Sequence, residues 1–490
     1  MTAVCVMVLG TTSNAGKSWV ATALCRHYAR MGLRVAPFKA QNMSNNARVV
    51  TGRATQQGEI GSAQYFQALA ARAVPDVRMN PVLLKPEADT RSQVVLLGEV
   101  HNQLSNWPWH DRSEVVWPHI CAALNALRAE NDVVVIEGAG SPAEINLHAS
   151  DIVNMRVARH AQARCILVTD IDRGGAFAHL FGTWALLPAE ERALIRGFVL
   201  NKFRGDPALL APAPQMLQQM TGIPVIATLP MWWQHGLPEE DGVFDDRARA
   251  DGIVDRTVAV IAYPRISNLD EFQLLKNIRG LRLVWARSPG DCEGADWIIL
   301  PGSKSTVADL EWLRARGLAD TIIRHAERGG TVLGICGGLQ MLGQSLVDTQ
   351  GIDGNATGLG LLSLSTRFNP TKTVRRSRVS FAALTGAWAS LSGLTVSGYE
   401  IHHGETMHCT GDHAGQATAN EVIPGLAWQN AAGNVLGCYL HGLFEDPAAF
   451  TALFGAGAPG LDAVFDGLAD FVSTHFEPGV LDTLIQQEPS

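Results

Sequence analysis

Val4-Cys-Val-Met-Val-Leu-Gly10-Thr-Thr-Ser-Asn-Ala-Gly16-Lys17-Ser18 decides the reading of the fold. The apolar, β-branched run Val4–Leu9 reads as a buried strand, and Trp19–Arg30 as the helix that follows it. Between them lies a glycine-bounded loop ending in Gly-Lys-Ser. Strand, loop and helix in this order make a phosphate cradle: loop amides and the helix N-terminus face the anion, Lys17 reaches the outer phosphates, and the Ser18 hydroxyl can ligate magnesium. The expected nucleotide-binding residues are Gly10, Thr11, Thr12, Ser13, Asn14, Ala15, Gly16, Lys17 and Ser18. A glycine turn that only caps a helix is the plain alternative, and the flanking strand and the GKS ending weigh against it.

Outward from this stretch, strand-like runs recur at Val133–Ile136, Cys165–Val168, Gly197–Leu200 and Val225–Ile226, spaced widely enough for crossover helices. A second series runs through Val258–Ala262, Leu281–Trp285, Trp297–Leu300 and Thr331–Leu333. The expected fold is therefore α/β with two doubly wound domains. The acidic, aromatic, turn-rich stretch MWWQHGLPEEDGVFDD separates them. The expected division is 1–230 for the phosphate-loop domain, 231–255 for the linker, 256–450 for the second domain and 451–490 for a helical tail. A length of 490 residues suits two cores better than one.

Composition narrows the class. With 47% apolar and 18% charged residues the chain is globular, and no apolar run is long enough for a bilayer. A net charge of −8 opposes a general basic field for nucleic acid or an anionic membrane. The start at Met1 lacks a leader pattern, which predicts a cytoplasmic protein. The eight scattered cysteines include no CxxC pair and read mostly as small buried hydrophobes. Lys17, Lys39, Lys85, Arg91 and Arg173 are candidates for a local anion-binding cluster.

Carboxylates just beyond parallel strands sit at the ligand edge of such a sheet, which makes Glu137 and Asp170 candidate metal ligands beside Ser18, against a plain role in loop capping. Asn201, after the next strand, is a candidate reader of the nucleotide base. In the second half, Thr331–Leu333 runs into Gly334-Ile-Cys336-Gly-Gly338-Leu-Gln-Met-Leu. This strand–turn–helix elbow exposes a thiol at a helix N-terminus, where thiolate is favoured and small neighbours admit substrate.

These motifs carry a family resemblance. Five residues, rather than the usual four, separate Gly10 from Gly16. That loop resembles dethiobiotin synthetase and its relatives, which phosphorylate a carboxylate or carbamate. GICGG together with Gly437-Cys-Tyr-Leu-His441-Gly resembles the class I glutamine amidotransferases. The match implies Cys336 as nucleophile, His441 as general base, and an oxyanion site formed by the amide of Gly337 with that of the PGS-like loop at Gly302. Triad-type members place Glu two residues after the histidine; here that position is Leu443 and the nearest acid is Glu445. The third member is thus absent or supplied elsewhere, and a weak glutaminase is expected because nothing obvious fixes the imidazole tautomer.

Lys39–Asn46, Gly58–Gln64, Met79–Pro86, Asp170–Gly175 and Gly398-Tyr-Glu400-Ile-His402-His403-Gly404 resemble the cobyric acid synthase family over nearly the whole chain. That resemblance implies ATP and Mg2+ as cofactors and glutamine and a corrinoid carboxylate as substrates. It implies amidation of the b, d, e and g carboxylates of adenosylcobyrinic a,c-diamide through an acyl phosphate. The alternatives are a cobyrinic acid a,c-diamide synthase and, in another class, a partition-type ATPase, which needs no Cys336/His441 half. His402, His403, His408, Cys409 and His413 fit no zinc spacing and read as a histidine-rich surface loop.

Overall fold

The structure is a computed structural model that describes residues 2–52, 56–88, 90–233, 235–238, 254–409, 419–455 and 460–486. Val133–Glu137 is buried at every position, as a strand covered on both faces must be. It pairs in parallel with Val4–Gly10 on one side and Val35–Phe38 on the other. Arg164–Asp170, Ile195–Phe203 and Val225–Pro230 extend the sheet beyond Val4–Gly10, giving six parallel strands among the described residues. Their carboxyl ends share one edge, where the loops after Gly10, Glu137, Asp170 and Phe203 open. Every strand read from the sequence in this half is present, extended at its ends. Val35–Phe38 carries Pro37, which obscures it as a strand and is tolerated because it lies at the sheet edge.

The second sheet has the order Leu281–Ala286, Arg256–Ile261, Trp297–Leu300, Thr331–Ile335, Val435–Cys438, Ala427–Asn430, Ala419–Ile423. The first five strands pair in parallel, and Ala427–Asn430 pairs antiparallel with both Val435–Cys438 and Ala419–Ile423. Thr331–Ile335 lies between Trp297–Leu300 and Val435–Cys438, so the residues after these three strands converge: Gly302, Cys336 and His441.

Two antiparallel features escaped the sequence reading. In the first half, the hairpin Ala47–Thr51/Gln57–Gly61 stands beside a small sheet that includes Val82–Ala88 and Arg91–Leu96. In the second, Leu364–Ser380 and Thr395–His408 form a long ribbon. The halves meet here: Arg376 donates to Val49 O at 3.0 Å and to Gln57 Oε1 at 2.5 Å, and Lys372 pairs with Glu59. The ribbon corrects the expected histidine-rich surface loop. His402, His403 and His408 lie in a strand paired antiparallel with Leu364–Ser380, and the His402 ring stacks on Tyr439 at 3.9 Å. Cys409 directly follows that strand, and His413 lies outside the described residues.

The C-terminal segment returns to the first half. Helix Leu461–His475 lays Phe465, Leu468 and Val472, all buried, against helix Lys17–Arg30, and Glu477 N bonds to Ile226 O at 2.9 Å. Arg26, 1% exposed, reaches Asp462 and Asp466 at 2.9 and 2.8 Å. Each buried apolar side chain contributes about 1.5–3 kcal/mol, whereas pairs to exposed acids contribute about 0–1 kcal/mol, so packing holds this helix down. Of the expected linker, Trp232 stacks on Phe471 at 4.9 Å and Leu237 is buried in the same core. Residues 234 and 239–253 lie outside the described residues. Among the described residues no helix is long and apolar enough to cross a membrane.

Candidate active sites

At the edge of the first sheet the loop folds as a cradle. Gly16 has φ +104°, and a Cβ there would overlap the Asn201 amide, so only glycine fits. Lys17 Nζ donates to Thr12 O at 2.9 Å and Gly140 O at 3.1 Å, and Thr11 bonds to Thr169 at 2.9 Å. Asn201, expected to read a base, donates its amide to Ala15 O at 2.9 Å and so braces the loop. Lys202 reinforces it through Asn14 O at 2.8 Å.

Glu137 gathers the polar groups of this edge. Its Oε1 accepts from Ser18 Oγ at 2.7 Å and Lys39 Nζ at 2.8 Å, and its Oε2 accepts from Gln67 Nε2 at 2.5 Å. Burial pushes the Glu137 pKa up, but the Lys39 charge and these hydrogen bonds outweigh burial and hold it below the usual carboxylate value. Ser18 and Glu137 thus stand together as a hard-oxygen pair suited to magnesium. Asp170 ends the strand on the other side of Val4–Gly10 and is paired with Lys202 at 3.1 Å and Arg173 at 3.4 Å. The expected cationic cluster divides. Lys17 and Lys39 serve this edge and Arg173 pairs with Asp170, while Lys85 and Arg91 pair with Glu59 and Glu87.

In the second half, Cys336 has φ 51° and ψ −105° at the turn between Thr331–Ile335 and helix Gly337–Leu342. A non-glycine residue held there costs of order 1–3 kcal/mol, which the surrounding bonds sustain: Cys336 N to Cys438 O at 2.8 Å and Gln340 N to Cys336 O at 3.1 Å. A Cβ on Gly337 would lie 2.8 Å from Ser303 N, and one on Gly302 would lie 3.0 Å from His441 Cε1. The elbow, the Gly302–Ser303 turn and the histidine are thus in close apposition.

The imidazole does not stand alone. His441 Nδ1 is 3.1 Å from Glu271 Oε1, and Gly442 N donates to Glu271 Oε2 at 3.0 Å. Both side chains are buried, and the Cys336 thiol donates to Ile401 O at 3.5 Å. Burial lowers the His441 pKa, but the Glu271 carboxylate and the Cys336 sulfur overcome it and raise the value to about 10. The expectation that nothing fixes the tautomer is therefore corrected: Glu271 does so from 170 residues upstream. Glu445 instead binds Arg48, at 2.6 Å. No local spacing relates Glu271 to His441, so the sequence offered no signal for this pair. Burial pushes up several other thiols, Cys5 to about 11 and Cys165, Cys292 and Cys438 to about 12, in keeping with packing roles.

Residues 6–239 match the model of the CobQ/CobB/MinD/ParA nucleotide binding domain, and residues 257–449 that of the CobB/CobQ-like glutamine amidotransferase domain. The chain is 73% identical to a cobyric acid synthase from Acidovorax ebreus (strain TPSY), over 99% of this chain and 100% of that one. It is 73% identical to one from Acidovorax sp. (strain JS42), over 99% and 98% of the two chains. A third, from Variovorax paradoxus (strain S110), is 72% identical over 99% and 100%. With both halves matched and nearly the full length covered, the chain belongs to the cobyric acid synthase family of glutamine-hydrolysing amide ligases.

Proposed function

We propose that this protein amidates, one after another, the b, d, e and g side-chain carboxylates of adenosylcobyrinic a,c-diamide, with ATP as activator and glutamine as nitrogen donor. The observation that carries the reading is that one chain holds both an intact phosphate cradle around Lys17 and a Cys336–His441–Glu271 constellation. Neither half accounts for the other unless ammonia made at the thiol is consumed at the phosphate.

In this mechanism the acceptor carboxylate attacks the terminal phosphate of ATP, ADP departs and an acyl phosphate forms; ammonia then displaces phosphate to leave the amide. Lys17 and the amides of residues 10–18 neutralise the transferring charge. Magnesium, held by Ser18 and Glu137 with Asp170 at the neighbouring strand end, would offset phosphate charge when bound. At the other site Cys336 attacks the glutamine carboxamide and His441 hands its proton to the leaving ammonia. The resulting thioester is hydrolysed to glutamate. Amides of Gly302 and Gly337 are assigned to the oxyanion, and Glu271 orients the imidazole. The reaction is placed in the cytoplasm.

Mass spectrometry of a time course with limiting enzyme tests the acceptor. Tri-, tetra- and pentaamides should appear in solution before the hexaamide, each step consuming one ATP and one glutamine. Conversion of cobyrinic acid to the a,c-diamide, with that diamide left untouched, would refute this acceptor while leaving the two-site chemistry intact.

A further inference from the structure

Asn46, Ala47 and Arg48 of the first half grip the three residues just before Glu271. Leu269 N donates to Asn46 Oδ1 at 3.0 Å, Ala47 N donates to Asn268 Oδ1 at 2.9 Å, and Arg48 Nη2 donates to Asp270 Oδ2. Asn268 is itself held at φ 55°, so the turn leading to Glu271 is fixed from both sides. Arg48 also reaches Glu445, four residues past His441, with Nη1 at 3.0 Å and Nη2 at 2.6 Å. Its guanidinium lies 5.1 Å from the centre of the Tyr399 ring, which stacks on His441 at 5.3 Å and 19°. Tyr399 and His441 further exchange backbone bonds of 3.1 and 2.9 Å.

One side chain from the nucleotide half thus touches the turn that carries Glu271, the loop that follows His441 and the ring that covers the imidazole. Arg48 is 1% exposed and Asp270 0%, and so buried a charge is costly unless its geometry is satisfied. A fold that needed only stability would fill this seam with apolar residues; two carboxylates converging on a planar fork fix orientation as well. The seam also leads back toward the phosphate edge. The Arg48 guanidinium lies 5.1 Å from the Phe66 ring, and Phe66 precedes Gln67, the donor to Glu137 on helix Ser62–Ala70.

We infer that Arg48 is a positioning residue for the glutaminase: from the nucleotide half, it holds Glu271 and His441 in register with Cys336. The glutaminase constellation is therefore completed by the partner domain. This inference rests on the Cys336–His441–Glu271 assignment above, and Cys336→Ala is assayed alongside to separate the two.

Removing Arg48 alone would strand two buried carboxylates, so the informative protein is the full-length triple variant Arg48→Met/Asp270→Asn/Glu445→Gln, which leaves no uncompensated charge. In a cooperatively folded triple variant, glutaminase kcat should fall at least about tenfold with the glutamine KM within about twofold of normal. Ammonia-dependent synthesis should stay within about twofold, and Arg48→Lys should have an intermediate kcat. A glutaminase kcat within about twofold of wild type in the folded triple variant overturns the inference, as does a parallel fall of glutamine- and ammonia-dependent synthesis. If the triple variant does not fold, Arg48→Lys decides: a kcat lowered at least about threefold with ammonia use intact supports positioning, and an unchanged kcat overturns it. Retained glutamine use in Cys336→Ala would instead remove the underlying assignment.

Discussion

The phosphate loop and the thiol elbow are the same local device, a strand that turns sharply into a helix N-terminus, yet they are completed in different ways. The loop draws its groups from consecutive residues 10–18 and adds Glu137 from the adjoining strand. The elbow carries the Cys336 thiol and the Gly337 amide; Glu271, Gly302 and His441 are brought to it by separate elements. Backbone amides placed by a turn suffice to hold an anion. Moving a proton requires side chains aligned to a fraction of an ångström, and only packing aligns them.

Two substitutions should separate the sites most sharply. Without its thiol, Cys336→Ala should lose glutamine-dependent synthesis by more than about a thousandfold while ammonia-dependent synthesis persists, as read by product formation with each nitrogen source. Lys17→Ala should lower synthesis by roughly a hundredfold to a thousandfold with either source, because nothing bypasses carboxylate activation. Full ammonia-dependent activity in that variant would take the phosphate loop out of the mechanism.

A finer test falls on the acid that the sequence concealed. Glu271→Gln should reduce glutaminase kcat by roughly tenfold to a hundredfold with little change in KM. Its pH profile should also shift. Burial disfavours the imidazolium and Glu271 favours it, so removing the carboxylate lowers the His441 pKa from about 10. The alkaline limb of the glutaminase profile should then move toward neutrality by roughly one to three pH units. An unmoved limb would mean that Glu271 does not act on the histidine.

The smallest effect should come from the loop backbone. Gly16→Ala forces a Cβ into a left-handed residue against Asn201, a strain of about 1–3 kcal/mol. Differential scanning should show a fall in Tm of a few degrees, and the KM for ATP should rise while glutaminase turnover stays near normal.

The order of the amino acids alone spelled out both local devices. Val4–Ser18 announced the phosphate cradle, and Thr331–Gly338 the thiol elbow, because strand burial, turn glycines and helix starts are written within about fifteen residues. It also determined the two α/β sheets, through the spacing of Val- and Ile-rich runs. Which distant groups meet depended on how the elements pack. Glu271 meets His441, Arg48 meets Asp270 and Glu445, and Arg26 meets Asp462 and Asp466 across separations of 170 to 440 residues. The ribbon Leu364–Ser380/Thr395–His408, where sequence suggested a histidine-rich loop, was decided in the same way. No periodicity records such pairs; they arise when two sheets, a ribbon and a returning helix pack, because a buried charge or backbone group must find its partner wherever the fold brings one within reach.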